Sequence, residues 1–548
     1  MPFLDPLNPR PLYSGDLNMT EQQMLLYLPD LIEHQAKTLG NKPYILWGAE
    51  KISFDEFNLA TRRAANGLSA FGAVEGDGLA ILMGNCPEFL YLFYGLPRGG
   101  FYTVPVNVSL KGEGLKFILT HSDVKYLAVD DTLYPKVAEL GAPLGAIKKI
   151  FVHRTTDAPL PEGTMDLLDL LKASSEKPEH VIKEGDMAYL MYTSGTTGFP
   201  KGVVNRNRAG AAEWFRFVAS QMINPQEDVL YTCLPLFHAN ALILTAGWAL
   251  AGGVSFGLDK KFTASGFWDR IRFYGATQFN GLGAMIPILM KQPEKPNDAD
   301  NPVRVVHSSA CPANLWLAFE KRFNVKLWEG YGAVDGGGVT ISNPGDAPVG
   351  SVGKPPPHIV WKLVDDHGNE VPQGEPGELI SQVLDKKTGG VEYYKNPKAS
   401  AEKVRGDWVH SGDLFYADKD GFLFFLDRKT DSMRRRGENI SSWEVENVVE
   451  KFPAVAECAA FGVPSELGED EVMIWVKPKE GFHLDLKELI RFCAENMAHF
   501  MIPRYIDVVD DIPRTSTLRV IKADMKKQGV TERTWDREKE MTELKENK

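Results

Sequence analysis

Short apolar runs alternate with amphipathic stretches in the first part of the sequence, and this alternation restricts the fold more than any other feature. The runs "GLAILM", "YTVPVN" and "VKYLAVD" are followed by "CPEFLYLFYGLPRGG", "KGEGLKFILTHS" and "TLYPKVAEL", respectively. Strands that are joined by crossover helices run parallel, and the helices cover the faces of their sheet. The sequence therefore predicts an α/β fold with largely parallel, helix-covered sheets.

The pattern changes twice farther along the chain, which at 548 residues is too long for one compact unit. After about residue 340, the glycine- and proline-bearing segments "VGKPPPHIVWKLVD", "GEPGELI" and "DGFLFFLD" are typical of hairpin-linked antiparallel strands. From Asp431 onward, helix-like and strand-like segments are sufficient for a small α+β domain. We expect an N-terminal domain over residues 1–429 that includes a smaller β subdomain, and a C-terminal domain over residues 430–548.

The charge balance and the cysteines argue against several classes of protein. Lysine and arginine number 61 against 73 aspartates and glutamates, so we expect no nucleic-acid partner, which would require a basic surplus. The cysteines lack C-x-x-C spacing, which favours a reduced cytoplasmic protein with structural cysteines over a disulfide framework or a zinc site. They are Cys86, Cys233, Cys311, Cys458 and Cys493. The start, "MPFLDPLNPRPLYSGD", lacks the basic residues and apolar run of a secretory signal.

One uncharged segment, "ALILTAGWALAGGVSFGL" at residues 241–258, reaches the length of a membrane-spanning helix. Its central Ala251-Gly252-Gly253 interrupts the helical pattern, which favours a buried helix that turns into a short strand. We therefore expect no transmembrane segment.

The segment "YTSGTTGFPKG", residues 192–202, lies between two strand-like runs, "DMAYLMY" and "GVVN". Glycines in such a turn expose backbone N–H groups, and hydroxyls and a lysine add donors and charge, so the turn suits a polyphosphate better than it suits a polar surface hairpin. Its candidate contacts are Thr193, Ser194, Gly195, Thr196, Thr197, Gly198 and Lys201. A Walker-type loop is excluded, because its lysine follows the last glycine directly, whereas Phe199 and Pro200 intervene here.

This segment resembles the signature loop of the adenylate-forming superfamily, which includes acyl-CoA synthetases, peptide-synthetase adenylation domains and firefly-type luciferases. Further family motifs follow in the expected order: "LPLFHANAL", "EGYGAVDGG", "HSGD", "DRKTDSMRRRGENISSWEVE" and "PRTSTLRVIK". The stretch "RRRGENISSWEVE", together with "TWDRE", is most similar to the branch that contains carnitine/crotonobetaine-CoA ligases, bile-acid-CoA ligases and fatty-acid-transport-type acyl-CoA synthetases.

The resemblance implies an AMP-forming acid-thiol ligase that uses ATP, Mg²⁺ and coenzyme A. The carboxylate of an acid attacks the α-phosphate of ATP, pyrophosphate leaves, and the thiol of CoA then displaces AMP from the acyl-adenylate. The acid is already ionised near neutral pH, since its pKa is about 4. The protein must therefore mainly position two anions and absorb phosphate charge.

The resemblance also assigns roles to single residues. Asp413 in "HSGD" and Arg428 in "DRKTD" would hold the ribose. The alternatives without a function are an ordinary aspartate in a turn for Asp413 and, for Arg428, a surface ion pair that contributes little to stability. Ser309 and Ala310 in "HSSACP" would border the adenine. His238 in "LPLFHANAL" would gate the entrance for the acid's carboxylate, although a lone histidine is more often a partly buried structural side chain.

The segment "YGAVDG" departs from the family pattern Tyr-Gly-x-Thr-Glu. Tyr331 and Gly332 keep the expected types at the nucleotide, whereas Val334 replaces threonine and Asp335 replaces glutamate. Valine cannot donate a hydrogen bond, and the loss of one donor to a reacting phosphate lowers the rate on the order of tenfold or more. Asp335 can still bind Mg²⁺ through oxygen, but its shorter side chain requires the ion or the loop to move.

The segment "PRTSTLRVIK" is the second departure, because the family has a glycine and then a lysine that bridges the substrate carboxylate and the α-phosphate. Leu518 and Arg519 stand there instead. Arginine keeps the charge but is bulkier and is not interchangeable with lysine. We expect Arg519 to be the catalytic cation, with Lys522 as the alternative. A catalytically weakened, nucleotide-binding homologue is a further alternative.

The small C-terminal domain of this superfamily swings between two poses about a hinge two residues after the arginine, which here is Thr430. The swing would bring first the catalytic cation and then a CoA-binding loop to the same site. Gly437 would border the pantetheine tunnel, and the neighbouring Arg434, Arg435 and Arg436 would either meet CoA phosphates or form a solvated surface.

The acyl pocket, by the same resemblance, draws on Trp214, Phe215 and Phe217, on residues 281–283 and on residues 328–330. These residues are mostly apolar, which favours a fatty or other hydrophobic acid. A bile acid is an alternative, and so is a carnitine- or betaine-type acid, which would suit an aromatic box through cation–π attraction. A peptide-synthetase module is disfavoured, because we expect a carrier domain to follow such a module, and the charged segment "REKEMTELKENK" stands there instead. Nothing in the sequence indicates the oligomeric state.

Overall fold

The structure, a computed structural model, describes residues 27–141, 144–193, 200–282, 285–338, 340–357, 359–382, 390–429, 433–435, 438–440, 442–465, 470–497, 499–514 and 520–541. The α-helices are α1 (Leu28–Leu39), α2 (Phe54–Ala70), α3 (Pro87–Gly95), α4 (Gly112–His121), α5 (Tyr134–Ala138), α6 (Leu167–Leu171), α7 (Ala211–Met222), α8 (Trp248–Gly252), α9 (Phe267–Tyr274), α10 (Met285–Met290), α11 (Ala313–Phe323), α12 (Pro397–Lys403), α13 (Ser442–Val449), α14 (Leu486–Asn496), α15 (Lys522–Gln528) and α16 (Arg537–Glu540). A π-helix, Asn240–Gly247, leads into α8.

The strands are β1 (Pro43–Trp47), β2 (Glu50–Ser53), β3 (Gly78–Leu82), β4 (Tyr102–Pro105), β5 (Tyr126–Asp130), β6 (Lys149–His153), β7 (Met165–Asp166), β8 (Met187–Thr193), β9 (Lys201–Arg206), β10 (Val229–Thr232), β11 (Ser255–Leu258), β12 (Gln278–Leu282), β13 (Val305–Ser309), β14 (Lys326–Gly332), β15 (Thr340–Asn343), β16 (Trp361–Val364), β17 (Gly377–Gln382), β18 (Val404–Arg405), β19 (Trp408–Ala417), β20 (Leu423–Arg428), β21 (Met433–Arg435), β22 (Glu438–Ile440), β23 (Val455–Pro464), β24 (Asp470–Pro478), β25 (Tyr505–Val508) and β26 (Trp535–Asp536).

Two large sheets form the N-terminal part. The first has the order β7-β6-β5-β3-β4-β8-β9 and is parallel except for the β8–β9 pair. The second has the order β15-β14-β13-β12-β10-β11-β1-β2 and is parallel except at its two edges. β3 and β5 are buried along their whole lengths, as is usual for strands covered by helices on both faces. The predicted α/β fold is confirmed.

The large apolar core is shared by the two sheets. It contains Leu79 and Ile81 from the first sheet, Ile45 and Phe256 from the second, and side chains of the helices packed between them. Because one core joins both sheets, residues at the ends of strands from either sheet have fixed relative positions.

The later parts of the chain have the predicted types of secondary structure. Strands β16 to β20 form an antiparallel five-stranded sheet, which confirms the β subdomain. Strands β23 to β26 form a separate sheet, and the apolar clusters around it come entirely from residues 433–541. The α+β character of the C-terminal part is therefore confirmed. The boundary at residues 429 and 430 stays a prediction, because Thr430 lies outside the described residues.

The uncharged segment at residues 241–258 folds as expected. The π-helix and α8 are followed by β11, and Gly253, with φ of 66°, ends α8 in the left-handed conformation that glycine adopts without strain. Across the described ranges, no helix combines the length and the apolar character that crossing a bilayer requires. All five cysteines are buried and free of disulfide bonds.

Candidate active site

The β8–β9 hairpin places Thr193, the last residue of β8, directly opposite Lys201, the first residue of β9. The Nζ atom of Lys201 lies 5.2 Å from the centroid of the Tyr393 ring, so the ammonium group has a fixed aromatic support. The structure thus keeps the two predicted catalytic residues of the phosphate loop together. The predicted phosphate contacts between them, Ser194, Gly195, Thr196, Thr197 and Gly198, lie outside the described residues and stay predictions.

Asp413 is held from two sides by the other predicted nucleotide-binding residues. The hydroxyl of Tyr331 donates to Asp413 Oδ2 at 2.6 Å, and Arg428 Nε lies 3.7 Å from Oδ1. β19 and β20 place Asp413 opposite Arg428, and Tyr331 comes from β14 of another sheet. Burial, followed by the charge of Asp413, raises the pKa of Tyr331, which therefore stays a donor. Asp413 lies within a strand rather than in a turn, and it is oriented as a bidentate acceptor for a diol.

Glu329 fixes the loop that contains Ser309 and Ala310. Its carboxylate accepts hydrogen bonds from the backbone N–H groups of Ala310 and Cys311, the latter at 3.1 Å. Ala310 has φ of 69°, the left-handed region that a non-glycine residue adopts only when its surroundings hold it there. Ser309 is the last residue of β13. The loop is therefore a rigid edge at the end of β13, beside Tyr331 and Gly332 on β14.

Glu329 makes the stability of this loop depend on pH. Burial raises the pKa of Glu329 from 4.5 to about 7, although its two backbone hydrogen bonds oppose the shift. Between these values the folded state binds more protons than the unfolded state, so the free energy of unfolding falls as pH rises from 4.5 to about 7. The full effect is about 3 kcal/mol.

Glu329→Gln is expected to remove this dependence, because glutamine does not titrate. Its amide accepts only one of the two backbone hydrogen bonds, which lowers the stability of the variant equally at every pH. From pH 5 to pH 8, the free energy of unfolding of the wild type should therefore fall relative to that of the variant by up to about 3 kcal/mol. Urea unfolding of both proteins across this range measures the difference. A constant difference at all pH values would contradict the assignment to Glu329.

Asp335 follows β14 and is held by residues outside the sequence motifs. Its Oδ2 accepts a hydrogen bond from the Tyr393 hydroxyl at 2.5 Å and lies 3.4 Å from Lys403 Nζ. Lys403 also donates to the backbone oxygen of Ser411 at 2.9 Å, two residues before Asp413. No described residue makes a hydrogen bond or ion pair with Oδ1 of Asp335. Oxygen is the ligand that Mg²⁺ prefers, so this oxygen fits a magnesium ligand.

The departure at Val334 has a packing explanation. Val334 is partly buried against an apolar cluster that contains Val203, Tyr393 and Val409. A threonine hydroxyl at this position would lose hydration without gaining an apolar contact, whereas the valine methyl groups extend the cluster. The substitution therefore supports the packing of Tyr393, which contacts both Asp335 and Lys201.

His238 lies where the loop after β10 enters the π-helix. Its Nε2 is buried and has no hydrogen-bond partner among the described residues. Burial lowers the pKa of His238 to about 4, so the imidazole is uncharged near neutral pH. Runs of π-helix are rare and often occur at functional sites. His238 can therefore offer a hydrogen bond, but no positive charge, to a ligand.

The side chain of Lys522 is paired with other residues of the C-terminal part. Its Nζ lies 2.9 Å from Glu446 Oε1 and also contacts the hydroxyl of Ser442. Ser442 donates its backbone N–H to Asp427 Oδ2 at 2.9 Å. Burial raises the pKa of Glu446, and the charge of Lys522 opposes this shift. These contacts favour a structural role for Lys522. The other candidate cation, Arg519, and the CoA-loop residue Gly437 lie outside the described residues, and their roles stay predictions.

Arg435 corrects one prediction. Its side chain is 1% exposed, its Nε lies 2.8 Å from Glu471 Oε2, and it donates to the backbone oxygen of Phe500 at 3.0 Å. A buried and paired guanidinium cannot reach a CoA phosphate, so the prediction that Arg435 could do so is wrong. The side chains of Arg434 and Arg436 fall outside the described part of the structure.

Two residues that contact the candidate site, Tyr393 and Lys403, are absent from the sequence motifs. Glu329 is the first residue of "EGYGAVDGG", but its contact with the loop at Ala310 was not predicted. Tyr393 carries a weak signal, since the aromatic pair Tyr393-Tyr394 precedes Asn396, whose side chain accepts from Ala399 N–H and caps α12. Lys403 carries none, because lysines are common on helices, and the motif around Glu329 does not indicate which backbone groups its carboxylate binds.

Comparisons with known proteins agree with this geometry. The family described as "AMP-binding enzyme" matches residues 32–382, and "AMP-binding enzyme C-terminal domain" matches residues 444–518. A crotonobetaine/carnitine–CoA ligase of Escherichia coli O7:K1 (strain IAI39 / ExPEC) is 31% identical over 491 residues, which cover 87% of this chain and 93% of that protein.

Two solved structures share the fold over almost the whole chain. An anthranilate CoA ligase in complex with anthranoyl-AMP has a TM-score of 0.82 at 23% identity and covers 92% of this chain and 97% of its own. ATP-bound MatB from Rhodopseudomonas palustris has a TM-score of 0.80 at 25% identity, covering 91% and 98%. The fold and the nucleotide-site geometry define an adenylate-forming enzyme, and the chain belongs to the AMP-binding enzyme family. It is an AMP-forming acid–CoA ligase, for which ATP, CoA and a carboxylic acid are the substrates.

Proposed function

We propose that this ligase activates a hydrophobic carboxylic acid and transfers its acyl group to CoA. The observation that carries the acid class is an uncharged aromatic group formed by Trp248, His307 and Trp328. The His307 ring centroid lies 5.8 Å from that of Trp248 and 5.5 Å from that of Trp328, with the planes nearly perpendicular in both pairs. Trp328 begins the stretch 328–330 that the family resemblance places in the acyl pocket. The group would close the far end of that pocket.

Hydrogen bonds determine which nitrogen of His307 carries a proton, and burial keeps the ring uncharged. The amide nitrogen of Gln278 donates to the Met222 backbone oxygen at 2.9 Å and to Asp228 Oδ2 at 2.7 Å. The amide oxygen of Gln278 therefore faces His307 Nε2, at 2.8 Å, and His307 donates through that nitrogen. Burial lowers the pKa of His307 to about 4, so the ring is neutral and Nδ1 carries no proton.

The carboxylate behind Gln278 is already neutralised. Asp228 pairs with Arg304 and accepts a hydrogen bond from Thr277 at 2.6 Å, and its side chain has no exposed surface. An apolar or neutral acyl end therefore meets no unpaired charge at this group of residues. A fatty, aromatic or alicyclic acid satisfies that condition.

A trimethylammonium acid is the second candidate. Tryptophan rings attract such cations, and Trp248 and Trp328 flank the same position. The 31% identical relative is named crotonobetaine/carnitine–CoA ligase, which supports this alternative. The neutral His307 and the paired Asp228 favour the hydrophobic acid instead, because a cationic acid usually also requires a negative partner.

The residues around the nucleotide would act mainly by positioning. Asp413, oriented by Tyr331 and Arg428, would accept both ribose hydroxyls, and Lys201 would neutralise phosphate charge. Neutral His238 would donate a hydrogen bond to the incoming carboxylate without requiring desolvation of a second charge. Since the acid is already ionised, these residues need to supply no strong base.

Asp335 would bind Mg²⁺ through Oδ1, and bound Mg²⁺ supplies positive charge to the phosphate oxygens. The carboxylate is shorter than the glutamate of the family pattern, so its position depends on the Tyr393 and Lys403 contacts to Oδ2. We propose Tyr393 and Lys403 as positioning residues for this carboxylate. The aromatic contact with Lys201 would let Tyr393 also align the phosphate loop.

The proposed activity is tested by measuring AMP and pyrophosphate from ATP and Mg²⁺, with and without CoA. The panel contains short, medium and long fatty acids, an aromatic acid, a bile acid and carnitine. We expect acid-dependent AMP formation to be fastest with a hydrophobic acid and slowest with carnitine. The reverse order would establish the trimethylammonium alternative. Tight ATP binding without product from any acid, and without thioester from supplied acyl-adenylates, would favour a nucleotide-binding homologue.

Tyr393→Phe is expected to raise the Mg²⁺ concentration required for half-maximal AMP formation by about tenfold, because a hydrogen bond to a charged group contributes about 1.5–3 kcal/mol. Tyr394→Phe is the matched control, since its hydroxyl bonds Asp123 at 2.8 Å instead. Magnesium titrations at saturating ATP and acid compare the two. An equal effect of both variants, or a loss of kcat with an unchanged magnesium requirement, would contradict the positioning role.

A further inference from the structure

A cluster of metal-ligating side chains lies at the carboxyl ends of three neighbouring parallel strands. Cys86 follows β3 and is the N-cap residue of α3, and Glu88 lies in the first turn of that helix. His153 ends β6 and lies directly opposite Asp130, the last residue of β5. One ligand atom each from Cys86, Glu88 and His153 lies within 4.8 Å of the other two. None of these residues belongs to the proposed nucleotide or acyl site.

We infer that Cys86, Glu88 and His153 form a binding site for a zinc ion, with Asp130 positioning the histidine. Thiolate, imidazole and carboxylate are the ligands zinc takes in proteins, and three of them leave a fourth tetrahedral position for water. His153 Nε2 lies 3.8 Å from Glu88 Oε2. A nitrogen and an oxygen ligand at tetrahedral zinc are separated by roughly 3.3–3.5 Å, so this pair must close by a few tenths of an ångström.

Asp130 sets the orientation of the imidazole. Its Oδ1 bonds His153 Nδ1 at 2.8 Å, and its Oδ2 accepts the backbone N–H of Gly84 at 2.8 Å. Because Nδ1 donates to the carboxylate, the neutral imidazole has its lone pair on Nε2, the nitrogen nearer Glu88. A carboxylate on the other nitrogen is the usual support of a zinc-bound histidine.

Asp131 also faces His153, but its carboxylate is occupied. It accepts hydrogen bonds from the Thr155 hydroxyl at 2.5 Å and from the Thr156 hydroxyl at 2.6 Å. Asp131 therefore contributes charge and no ligand. The side chains of Glu88 and His153 are 26% and 15% exposed, so an ion can enter from solvent.

The site would stiffen a turn that joins the two large sheets. Asn85, next to Cys86, donates to the backbone oxygen of Leu234 at 2.9 Å and accepts from the backbone N–H of Leu236 at 2.8 Å. Bound zinc would therefore link β6 to the turn at Asn85, which is hydrogen-bonded to the loop before His238. The absence of C-x-x-C spacing predicted no zinc site, but the fold brings together ligands that lie far apart in sequence.

The test uses the full chain, stripped with EDTA and dialysed, then titrated with Zn²⁺ or with Co²⁺ as a spectroscopic probe. We expect a single tightly bound zinc ion per chain, a rise in Tm, and a thiolate-to-cobalt charge-transfer band.

Cys86→Ser and His153→Gln should abolish the charge-transfer band, and Asp130→Asn should weaken zinc binding by about 10- to 100-fold. Cys493→Ser, which removes another buried cysteine, should leave all three readouts unchanged. Failure of the wild type to bind zinc, a cobalt complex without the thiolate band, or equal zinc binding by Cys86→Ser and Cys493→Ser would overturn the proposal. The wild-type readouts decide the question even if a variant does not fold.

Discussion

Asp413→Asn is expected to raise the KM for ATP by about 100-fold, because two charge-assisted hydrogen bonds to the ribose contribute about 1.5 kcal/mol each or more. Asparagine offers one acceptor in place of the two oxygens and removes the negative charge that Arg428 faces at 3.7 Å. ATP binding by calorimetry should weaken by a similar factor. The kcat at saturating ATP should change much less, since the two ribose hydroxyls take no part in the reaction at the α-phosphate.

Two comparisons separate ribose binding from a general loss of structure. Tyr331→Phe removes the hydrogen bond of 2.6 Å that orients Asp413 and should raise the KM for ATP by about tenfold. Asp418→Asn, in the turn of the same β19–β20 hairpin, keeps a side-chain oxygen for the backbone N–H groups of Asp420 and Phe422 and should behave as wild type. An ATP affinity of Asp413→Asn equal to that of Asp418→Asn would refute the ribose assignment.

The sequence predicts the elements of this fold well because its patterns are local. Apolar runs such as that of β5 mark strands covered on both faces, and the runs "DMAYLMY" and "GVVN" mark β8 and β9. The register that places Thr193 opposite Lys201 follows once both strands are assigned. The π-helical geometry of Asn240–Gly247 was not predictable in this way, since its composition is that of any buried helix.

For the candidate site, too, the sequence predicts individual residues but not the long-range contacts between them. Asp413, Arg428 and Tyr331 stand in recognisable motifs, but the hydrogen bond from Tyr331 to Asp413 spans 82 residues and joins two sheets. The bond from Tyr393 to Asp335 spans 58 residues and depends on the segment around Tyr393 pairing with the edge of β9. Local patterns carry no information about such pairings. The ion pair between buried Arg435 and Glu471 was likewise not predictable, because a run of arginines has the composition of a solvated surface.

Arg519→Ala is expected to lower adenylation by at least about 100-fold, since removing one charged stabiliser of a reacting group typically lowers kcat by about 10²–10³. Arg519→Lys should restore much of the rate, because it restores the residue type of the family pattern. Pyrophosphate release measures adenylation. Transfer from a supplied acyl-adenylate to CoA measures the second half-reaction, which should be nearly normal in Arg519→Ala.

Lys522→Ala is expected to lower the stability of the C-terminal part rather than the rate of adenylation. Its ammonium lies 2.9 Å from Glu446 Oε1, and its charge and hydrogen bond oppose the rise in pKa that burial causes in this carboxyl group. Removing one partner of a buried ion pair destabilises a protein by about 3–5 kcal/mol, because the other charge stays buried without compensation. Thermal unfolding should therefore show an early transition of the C-terminal part. Lys522→Ala combined with Glu446→Gln should recover most of that stability.

The two variants together identify the catalytic cation. Loss of adenylation in Arg519→Ala with a normal Tm, and a lowered Tm with adenylation retained below the transition in Lys522→Ala, would assign catalysis to Arg519. The opposite pattern would move the cation to Lys522 and require its ammonium to leave Glu446 during adenylation. That movement would itself be measurable, because Glu446→Gln would then raise the adenylation rate by freeing the lysine.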